Sequence, residues 1–205
     1  MIRKRQGPIW LVFVCVLAIC GQTAEAKGFY FGASLGQGEA KDLDLSAIGD
    51  GSTLTGVADG TDSGWKFFGG FKMFRFMNAE FAYRDYGQAA FSAISDGTGT
   101  IYAPGPVEGL ADTTAISVSA MVVVGAGHFK LFAKAGAARW RTETTIQHSM
   151  GNVARRDSDG VDAMYGIGAS WAFKKGSTGV RVEFERIATN AADRDFISAG
   201  LHFKF

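Results

Sequence analysis

The sequence predicts an all-β fold, an eight-stranded antiparallel up-and-down transmembrane β-barrel. Beyond residue 26, apolar side chains alternate with polar or small ones in segments of about ten residues, as in strands that cross a membrane. No stretch there reaches the roughly 18 consecutive apolar residues that would indicate a spanning helix. Short and long connections between the segments alternate along the chain, which is typical of such barrels.

The composition excludes several other classes. The chain has 205 residues, of which 47% are apolar and 13% aromatic, so it can bury a core and is not intrinsically disordered. Its formal net charge of +1 lacks the positive excess of nucleic-acid-binding proteins, so nucleic acid is not an expected partner.

The first 26 residues have the pattern of an export signal. Three basic residues at Arg3–Arg5 precede an apolar run over Ile9–Cys20, and the segment closes with Ala24-Glu25-Ala26. A basic start, a short apolar run and a small-x-small exit predict a secretory signal peptide over residues 1–26. The predicted mature barrel domain therefore covers residues 27–205.

Both cysteines of the chain, Cys15 and Cys20, lie within that signal. The exported protein would have no disulfide, and its stability must come from burial or from lipid. A lipoprotein signal ending at Cys20 is the alternative, which the bulky Ile19 before it disfavours.

Eight segments alternate with period two. In chain order they cover residues 29–36, 65–73, 79–84, 115–124, 131–138, 164–173, 180–185 and 197–205. Each has an apolar face, and its leading residues are, in the same order, Phe29 and Phe31; Trp65 and Phe67; Phe81 and Tyr83; Ile116 and Val118; Leu131 and Ala133; Tyr165 and Ile167; Val180 and Val182; Ile197 and Leu201. An even number of strands fits a bacterial outer-membrane barrel.

The connections differ in length. Short turns are predicted near Phe76, at Gly125–His128 and at Lys175–Thr178. Long polar loops are predicted at residues 37–63, 88–112, 141–162 and 188–195. Tight periplasmic turns and longer external loops would produce this alternation.

A turn at Phe76 predicts that Lys72 faces Glu80, and a turn between Gly176 and Ser177 predicts that Glu183 faces Ser170 and Glu185 faces Gly168. Shifting the seventh strand by one residue would move its charges into lipid, at a cost of roughly 2–4 kcal/mol for each basic residue. The faces are therefore firmly predicted.

The polar face places charged side chains inside the barrel. The predicted interior charges are Lys66, Lys72, Glu80, Arg84, Lys134, Arg181, Glu183 and Glu185. They could line a gated ion path, or they could pair and fill a lumen that eight strands leave just wide enough for side chains. Buried charges must pair, and both signs are present, so the filled lumen is the favoured interpretation.

Aromatic residues cluster at the strand ends. Trp65 and Trp140 are assigned to an external girdle, and Trp171, Phe173, Phe203 and Phe205 to a periplasmic one. A soluble β-sandwich would also alternate, but its core would not accept Lys, Arg and Glu.

Arg139 and Arg141 flank Trp140 at the external end of the fifth strand. A guanidinium fork in this position could bind the phosphate groups of lipopolysaccharide. Simple snorkelling of the two side chains to the interface is an equal alternative.

Catalytic and metal-binding patterns are weak. His148 and Ser149 are adjacent, so they would point to opposite faces of a strand and are interpreted as loop residues. The first long loop is acidic, but its spacing matches no known calcium loop. Its carboxylates are those of Glu39, Asp42, Asp44, Asp50, Asp59 and Asp62. No Walker loop, dinucleotide fingerprint or HExxH occurs, so neither a cofactor nor a catalysed reaction is expected.

Two stretches resemble the OmpA-like barrel family. Phe67-Phe68-Gly69-Gly70-Phe71 followed by residues 78–85 resembles its second hairpin, and residues 165–170 with 180–185 resemble its sixth and seventh strands. The terminal Phe203-Lys204-Phe205 is similar to the signal that the barrel-assembly machinery recognises. The resemblance implies a bacterial outer-membrane location. Since the sequence ends at Phe205, it implies a barrel-only member, without the peptidoglycan-binding domain that follows the barrel in the full-length family member.

Barrel-only relatives include porin-like surface proteins, opacity-type adhesins and serum-resistance factors. By this resemblance we expect a structural or surface-interaction role, with any host or cell-surface ligand bound through loops 37–63 and 88–112. A small passive channel is the first alternative, and a lipid acyl hydrolase is a weaker one.

Overall fold

The computed structural model describes residues 28–40, 54–59, 61–98, 104–148, 153–173, 177–189 and 193–205. These residues form nine β-strands. Their bounds are β1 Phe29–Ala40, β2 Leu54–Asp59, β3 Thr61–Phe74, β4 Met77–Ser95, β5 Gly105–Val124, β6 Phe129–His148, β7 Val153–Ala172, β8 Thr178–Ala188 and β9 Arg194–Lys204. The predicted signal peptide lies outside the described residues.

The strands close into a ring of eight positions. All the pairings are antiparallel, the order β3-β1-β9-β8-β7-β6-β5 runs around the wall, and β4 pairs with both β3 and β5. Strand β2 also pairs with β4, over Ala90–Ser95, beyond the end of the β3 pairing. Because β2 and β3 occupy the same place beside β4, they are two parts of one wall position. The prediction of an eight-stranded barrel is confirmed.

No helix among the described residues is long and apolar enough to cross a membrane.

The predicted faces are confirmed along the eight predicted strands. Apolar residues such as Leu35, Ile116 and Ile167 point outward and are exposed, as a lipid-facing surface requires. This apolar band ends at one level around the ring, where polar outward residues begin. They are Ser63, Asp85, Thr114, Arg139, Asp159 and Arg186.

The two ends of the barrel differ as predicted. Strands β3 and β4 are joined through Arg75 and Phe76, and β5 and β6 through Gly125–His128, in which Gly127 has a φ of 61°. We name this the turn end and the opposite end the hairpin end.

Two of the four predicted long loops are largely strand, which corrects the sequence-based assignment. Most of 88–112 belongs to β4 and β5, and most of 141–162 belongs to β6 and β7. Residues 37–40, 54–59 and 61–63 of the first connection are also strand. Their polar composition indicates water on the outer face, and an antiparallel sheet in water remains a sheet.

Both predicted hairpin registers are wrong by two residues. Lys72 faces Asn78, and Glu80 faces Gly70, because the pairing slips at Lys72–Phe74. Likewise Glu183 faces Gly168 and Glu185 faces Gly166. A shift of two keeps every side chain on its face, so the period-two pattern cannot detect it. Large charged residues still face glycine, as a narrow lumen requires.

Candidate functional site

The barrel interior contains a charge network that includes seven of the eight predicted residues. Lys66, Glu80, Arg84, Lys134, Arg181, Glu183 and Glu185 are each no more than 5% exposed. Lys72 does not join them: it is exposed at the turn end, where the strands leave the closed part of the lumen. The prediction was wrong for Lys72 because period-two alternation shows which face of the strand a side chain lies on, and not how far along the barrel axis it lies.

Glu80 is the centre of the network at its lower level. Arg181 donates two parallel hydrogen bonds to its carboxylate, from Nη1 at 2.5 Å and from Nη2 at 3.0 Å. Lys134 Nζ and the Tyr30 hydroxyl each donate to it at 3.0 Å. A buried carboxylate needs such donors to offset its loss of water.

Glu185 and Glu183 form the second half of the network. Arg84 donates to Glu185 from Nε at 3.0 Å and also through Nη2, and Lys66 Nζ donates at 2.8 Å. Glu183 accepts from Lys134 at 2.9 Å and from Arg181 at 2.7 Å, and it also contacts Lys66. Each carboxylate is therefore shared by cations of different strands.

The charge network has four cations and three carboxylates, and aromatic rings contact two of the cations. The Arg181 guanidinium lies between two rings, 4.5 Å from the centre of Phe68 and 4.3 Å from that of Phe132. Lys66 Nζ lies 5.1 Å from the Phe68 ring. The negative faces of the rings stabilise positive charge that no carboxylate offsets.

An apolar cluster closes the lumen between the network and the hairpin end. It consists of buried side chains from six strands: Tyr86, Ala115, Ala138, Trp140, Met164, Ile187 and Phe196. The Phe196 ring is fully buried and meets Tyr86 edge to face at 5.4 Å. We call this cluster the apolar plug.

Trp140 belongs to the plug and not to the external girdle, which corrects the prediction. Its indole Nε1 donates to Asp162 at 2.6 Å, and the Arg194 guanidinium lies 4.1 Å from its ring. Trp140 lies two residues from Ala138 and from Thr142, which are also buried, so all three side chains point to the inner face of the strand.

The other girdle residues do point outward. Trp65 contacts the Phe67 and Tyr83 rings on the outer surface near the hairpin end. Near the turn end the outward aromatic residues include the four predicted ones, Trp171, Phe173, Phe203 and Phe205. Two aromatic rims therefore border the apolar band, although one member predicted for the upper rim is absent from it.

Beyond the apolar band, β4, β5, β6 and β7 continue, and together with β2 they form a wall. We call this the hairpin wall, and it consists of residues 54–59, 88–95, 105–114, 139–148 and 153–162. On its outer face Arg141 pairs with Asp157 at 2.8 Å and with Glu143 at 3.4 Å, and Arg139 Nη2 lies 3.7 Å from Asp159. The two arginines named as lipopolysaccharide contacts thus already have carboxylate partners.

A β-bulge marks the base of this wall. The pairing of β4 with β5 shifts between Asp85 and Gln88, and Gly87 has a φ of 78°. The Asp62 carboxylate accepts the Gln88 N–H at 2.6 Å and the Ser63 N–H at 2.7 Å, which lowers the pKa of Asp62. These bonds hold the bulge closed.

Asp112 lies opposite Gln88 at the same level. Partial loss of water and repulsion from Asp85 raise the pKa of its carboxyl. At the base of the hairpin wall, the fold therefore stabilises the ionised form of Asp62 and destabilises the ionised form of Asp112.

The sequence matches a family model described as the OmpA-like transmembrane domain over residues 24–205. The chain belongs to this family. It is accordingly a β-barrel of the bacterial outer membrane. In such barrels the short turns lie in the periplasm and the longer connections outside the cell, which assigns the turn end to the periplasm and the hairpin end to the outside. A comparison with curated protein sequences finds no significant match.

Solved outer-membrane barrels share this fold. OprG from Pseudomonas aeruginosa has a TM-score of 0.56 at 10% identity, covering 88% of this chain and 97% of OprG. Ail from Yersinia pestis, solved with the heparin analogue sucrose octasulfate, has a TM-score of 0.52 at 10% identity, covering 87% and 99%. Neisserial surface protein A has a TM-score of 0.52 at 14% identity, covering 89% and 100%. At such identities the likeness extends to the fold alone.

Several residues of this OmpA-like barrel were missed in the sequence. Tyr30 joins the charge network, and Phe196 and Tyr86 build the plug. The parity of the first strand assigns Tyr30 to the inner face. Tyr86 and Phe196 lie just past the ends of the segments recognised as strands. Continuing the period-two alternation by two residues would have assigned both to the inner face.

Metal and catalytic candidates add nothing to this site. Within the described ranges no group of three or more His, Cys, Asp or Glu side chains is placed to hold a metal ion. Asp42, Asp44 and Asp50 of the acidic connection, and Ser149 beside His148, lie outside the described residues.

Proposed function

We propose that this barrel acts at the cell surface as a structural or interaction protein, in the manner of adhesins and serum-resistance factors. Its ligand would bind the hairpin wall, and the barrel would anchor that wall in the membrane. The observation that carries the proposal is the length of the wall. Strands β5 and β6 continue about ten residues past the apolar band, which is about 33 Å of extended chain.

The hairpin wall is built as a rigid sheet. The β5–β6 pairing continues to Val107 and His148, and the β6–β7 pairing to Gln147 and Val153. A sheet held by continuous hydrogen bonds can present side chains to a partner with little loss of entropy on binding.

The wall also has apolar packing of its own. Phe91, Val107 and Ile146 are each at most 3% exposed although they lie beyond the apolar band. The Phe91 ring covers Gly109 so closely that a β-carbon there would overlap it. A segment that only linked two strands would not need such packing, so the wall is a folded surface in its own right.

The barrel below the wall favours this role over a passive channel. A channel needs a continuous path of water, whereas the charge network and the apolar plug fill successive levels of the lumen. We propose for the same reason that the protein is not an enzyme, since its buried charged groups pair with each other.

Two further assignments stay proposals. Residues 1–26 would be removed as a signal peptide, and the terminal Phe205 would be read by the barrel-assembly machinery. Arg139 and Arg141 would contact lipopolysaccharide phosphate at the upper rim, in competition with Asp159 and Asp157.

Two trimmed variants test the proposal. In the first, Asn-Gly replaces residues 89–111, so that the paired Gln88 and Asp112 flank a two-residue turn. In the second, Asn-Gly replaces residues 143–157 between the paired Thr142 and Ser158. The first variant also removes the partner strand of β2, so it tests the 37–63 and 88–112 segments together.

Both variants should assemble, shown by a heat-modifiable band in outer-membrane fractions. Cells carrying at least one of them should lose adherence to immobilised host matrix or survival in serum, compared with cells carrying the full chain. If both assemble and both phenotypes persist, the hairpin wall does not carry the function.

A further inference from the structure

A cavity of about 280 Å³ opens at the periplasmic end of the barrel. Four cationic side chains from β3, β6, β9 and the β3–β4 turn surround it: Lys72, Lys130, Lys204 and Arg75. Among the residues that the structure describes, no Asp or Glu side chain lines it. The nearest carboxylate of the network, Glu80, is one level higher and is already bonded to Arg181 and Lys134.

The lysines around this cavity face the lumen and not the lipid. Lys130 lies two residues before the buried Phe132, and Lys204 two residues after the buried His202. Their side chains therefore point to the inner face of the barrel wall. Lysines that only anchored the barrel among lipid headgroups would alternate outward, beside Trp171 and Phe203. Their inward placement concentrates positive charge on one enclosed space.

The floor of the cavity carries two buried polar side chains. Arg181 is 4% exposed and His202 is 3% exposed, and both line the cavity. Arg181 Nε and His202 Nδ1 are buried without a hydrogen bond to any described residue. The Arg181 Nη1 and Nη2 groups bond to Glu80 and Glu183, whereas its buried Nε–H has no acceptor among the described residues.

We propose that this periplasmic cavity binds a phosphate group, with Arg181 Nε and His202 donating from the floor and Lys130 and Lys204 pairing from the rim. Donors from β6, β8 and β9 line one cavity, and this suits a tetrahedral oxyanion, which accepts from several directions. The volume exceeds that of one water, about 30 Å³, several times over and leaves room for an ester substituent. The phosphate could belong to a soluble periplasmic compound or to a phospholipid headgroup.

The test uses the full protein purified from outer membranes in uncharged detergent. Inorganic phosphate and, separately, dihexanoyl phosphatidylglycerol are titrated while the imidazole resonances of His202 are followed by NMR. The proposal expects a saturable shift with at least one of the two, and the responding probe identifies the source of the phosphate. Sodium acetate is the third arm, and it should bind at least 10-fold more weakly.

The double variant Lys130→Gln, Lys204→Gln should weaken binding at least 10-fold. Arg186→Gln, which removes a cation toward the opposite end that pairs with Asp193 and Asp195, is the control and should leave binding unchanged. Both variants keep the charge network, so both should assemble. The proposal is overturned if neither probe shifts His202 saturably, if acetate binds as well as phosphate, or if the double variant binds like the control.

Discussion

Arg181 of β8 and Glu80 of β4 join opposite walls of the barrel through two parallel hydrogen bonds of 2.5 and 3.0 Å. The strand order places β4 and β8 four positions apart in a ring of eight, which is the full diameter. Arg84 and Glu185 connect the same two strands one level higher. The lumen is therefore crossed twice by ion pairs, and the fold depends on them for its internal packing.

Glu183→Ala should lower the free energy of unfolding by roughly 3–5 kcal/mol, because it leaves buried Lys66, Lys134 and Arg181 one carboxylate short. Urea titration in detergent, followed by tryptophan fluorescence, measures the change. Glu143→Ala is the control, since that carboxylate is mostly exposed and pairs with Arg141 at 3.4 Å on the surface. Equal urea midpoints for the two variants would mean that water reaches Glu183.

Trp140 should be shielded from lipid, because its ring lies in the apolar plug. In single-tryptophan variants placed in bilayers with brominated acyl chains, we expect Trp65 and Trp171 to be quenched and Trp140 to be unaffected. Trp65 and Trp171 are 36% and 53% exposed on the outer face, whereas Trp140 is 7% exposed. If Trp140 were quenched as strongly as Trp65, Trp140 would face the lipid and would belong to the external girdle.

Asp112→Asn should raise the urea midpoint at pH 7. The pKa of Asp112 is raised in the folded protein, so its ionised form destabilises the fold above that pKa. The gain should shrink as the pH falls through the pKa of Asp112, which lies above the usual value of about 3.9.

Asp62→Asn is the matched comparison and should have the opposite sign. The pKa of Asp62 is lowered, so its contribution is present at neutral pH and is lost as the pH falls below about 3.9. Urea midpoints of both variants between pH 3 and pH 7 check the pair. Changes of the same sign at pH 7 would refute the assignment.

The mature protein should begin at Lys27, after the Ala24-Glu25-Ala26 exit. Intact-mass measurement of protein from outer membranes checks this directly. A chain that retains residues 1–26, or one that begins with a lipid-modified Cys20, would contradict the assignment.

Period-two alternation was sufficient to assign the faces. Lys66, Arg84 and Glu185 were correctly placed in the lumen because a charge facing lipid costs too much for any other assignment. Depth and register were not accessible in this way. Lys66 and Lys72 lie on the same face of β3, and alternation does not show that Lys66 is inside the closed lumen while Lys72 is exposed at the turn end.

The hairpin wall was mistaken for loops for a different reason. Outside the membrane both faces of a sheet can carry polar residues, and segments such as 141–148 and 153–162 lose the clean contrast that identifies a strand. Cross-strand pairs such as Arg141 with Asp157 hold them together, and these pairs become visible only once the register is known.

The most direct test of the closed barrel is single-channel recording of purified protein in planar bilayers. The account predicts no stable conductance, because two levels of ion pairs and the apolar plug fill the lumen. Long-lived open channels, with a conductance that Phe196→Ala leaves unchanged, would contradict it and would assign the protein a pore function instead.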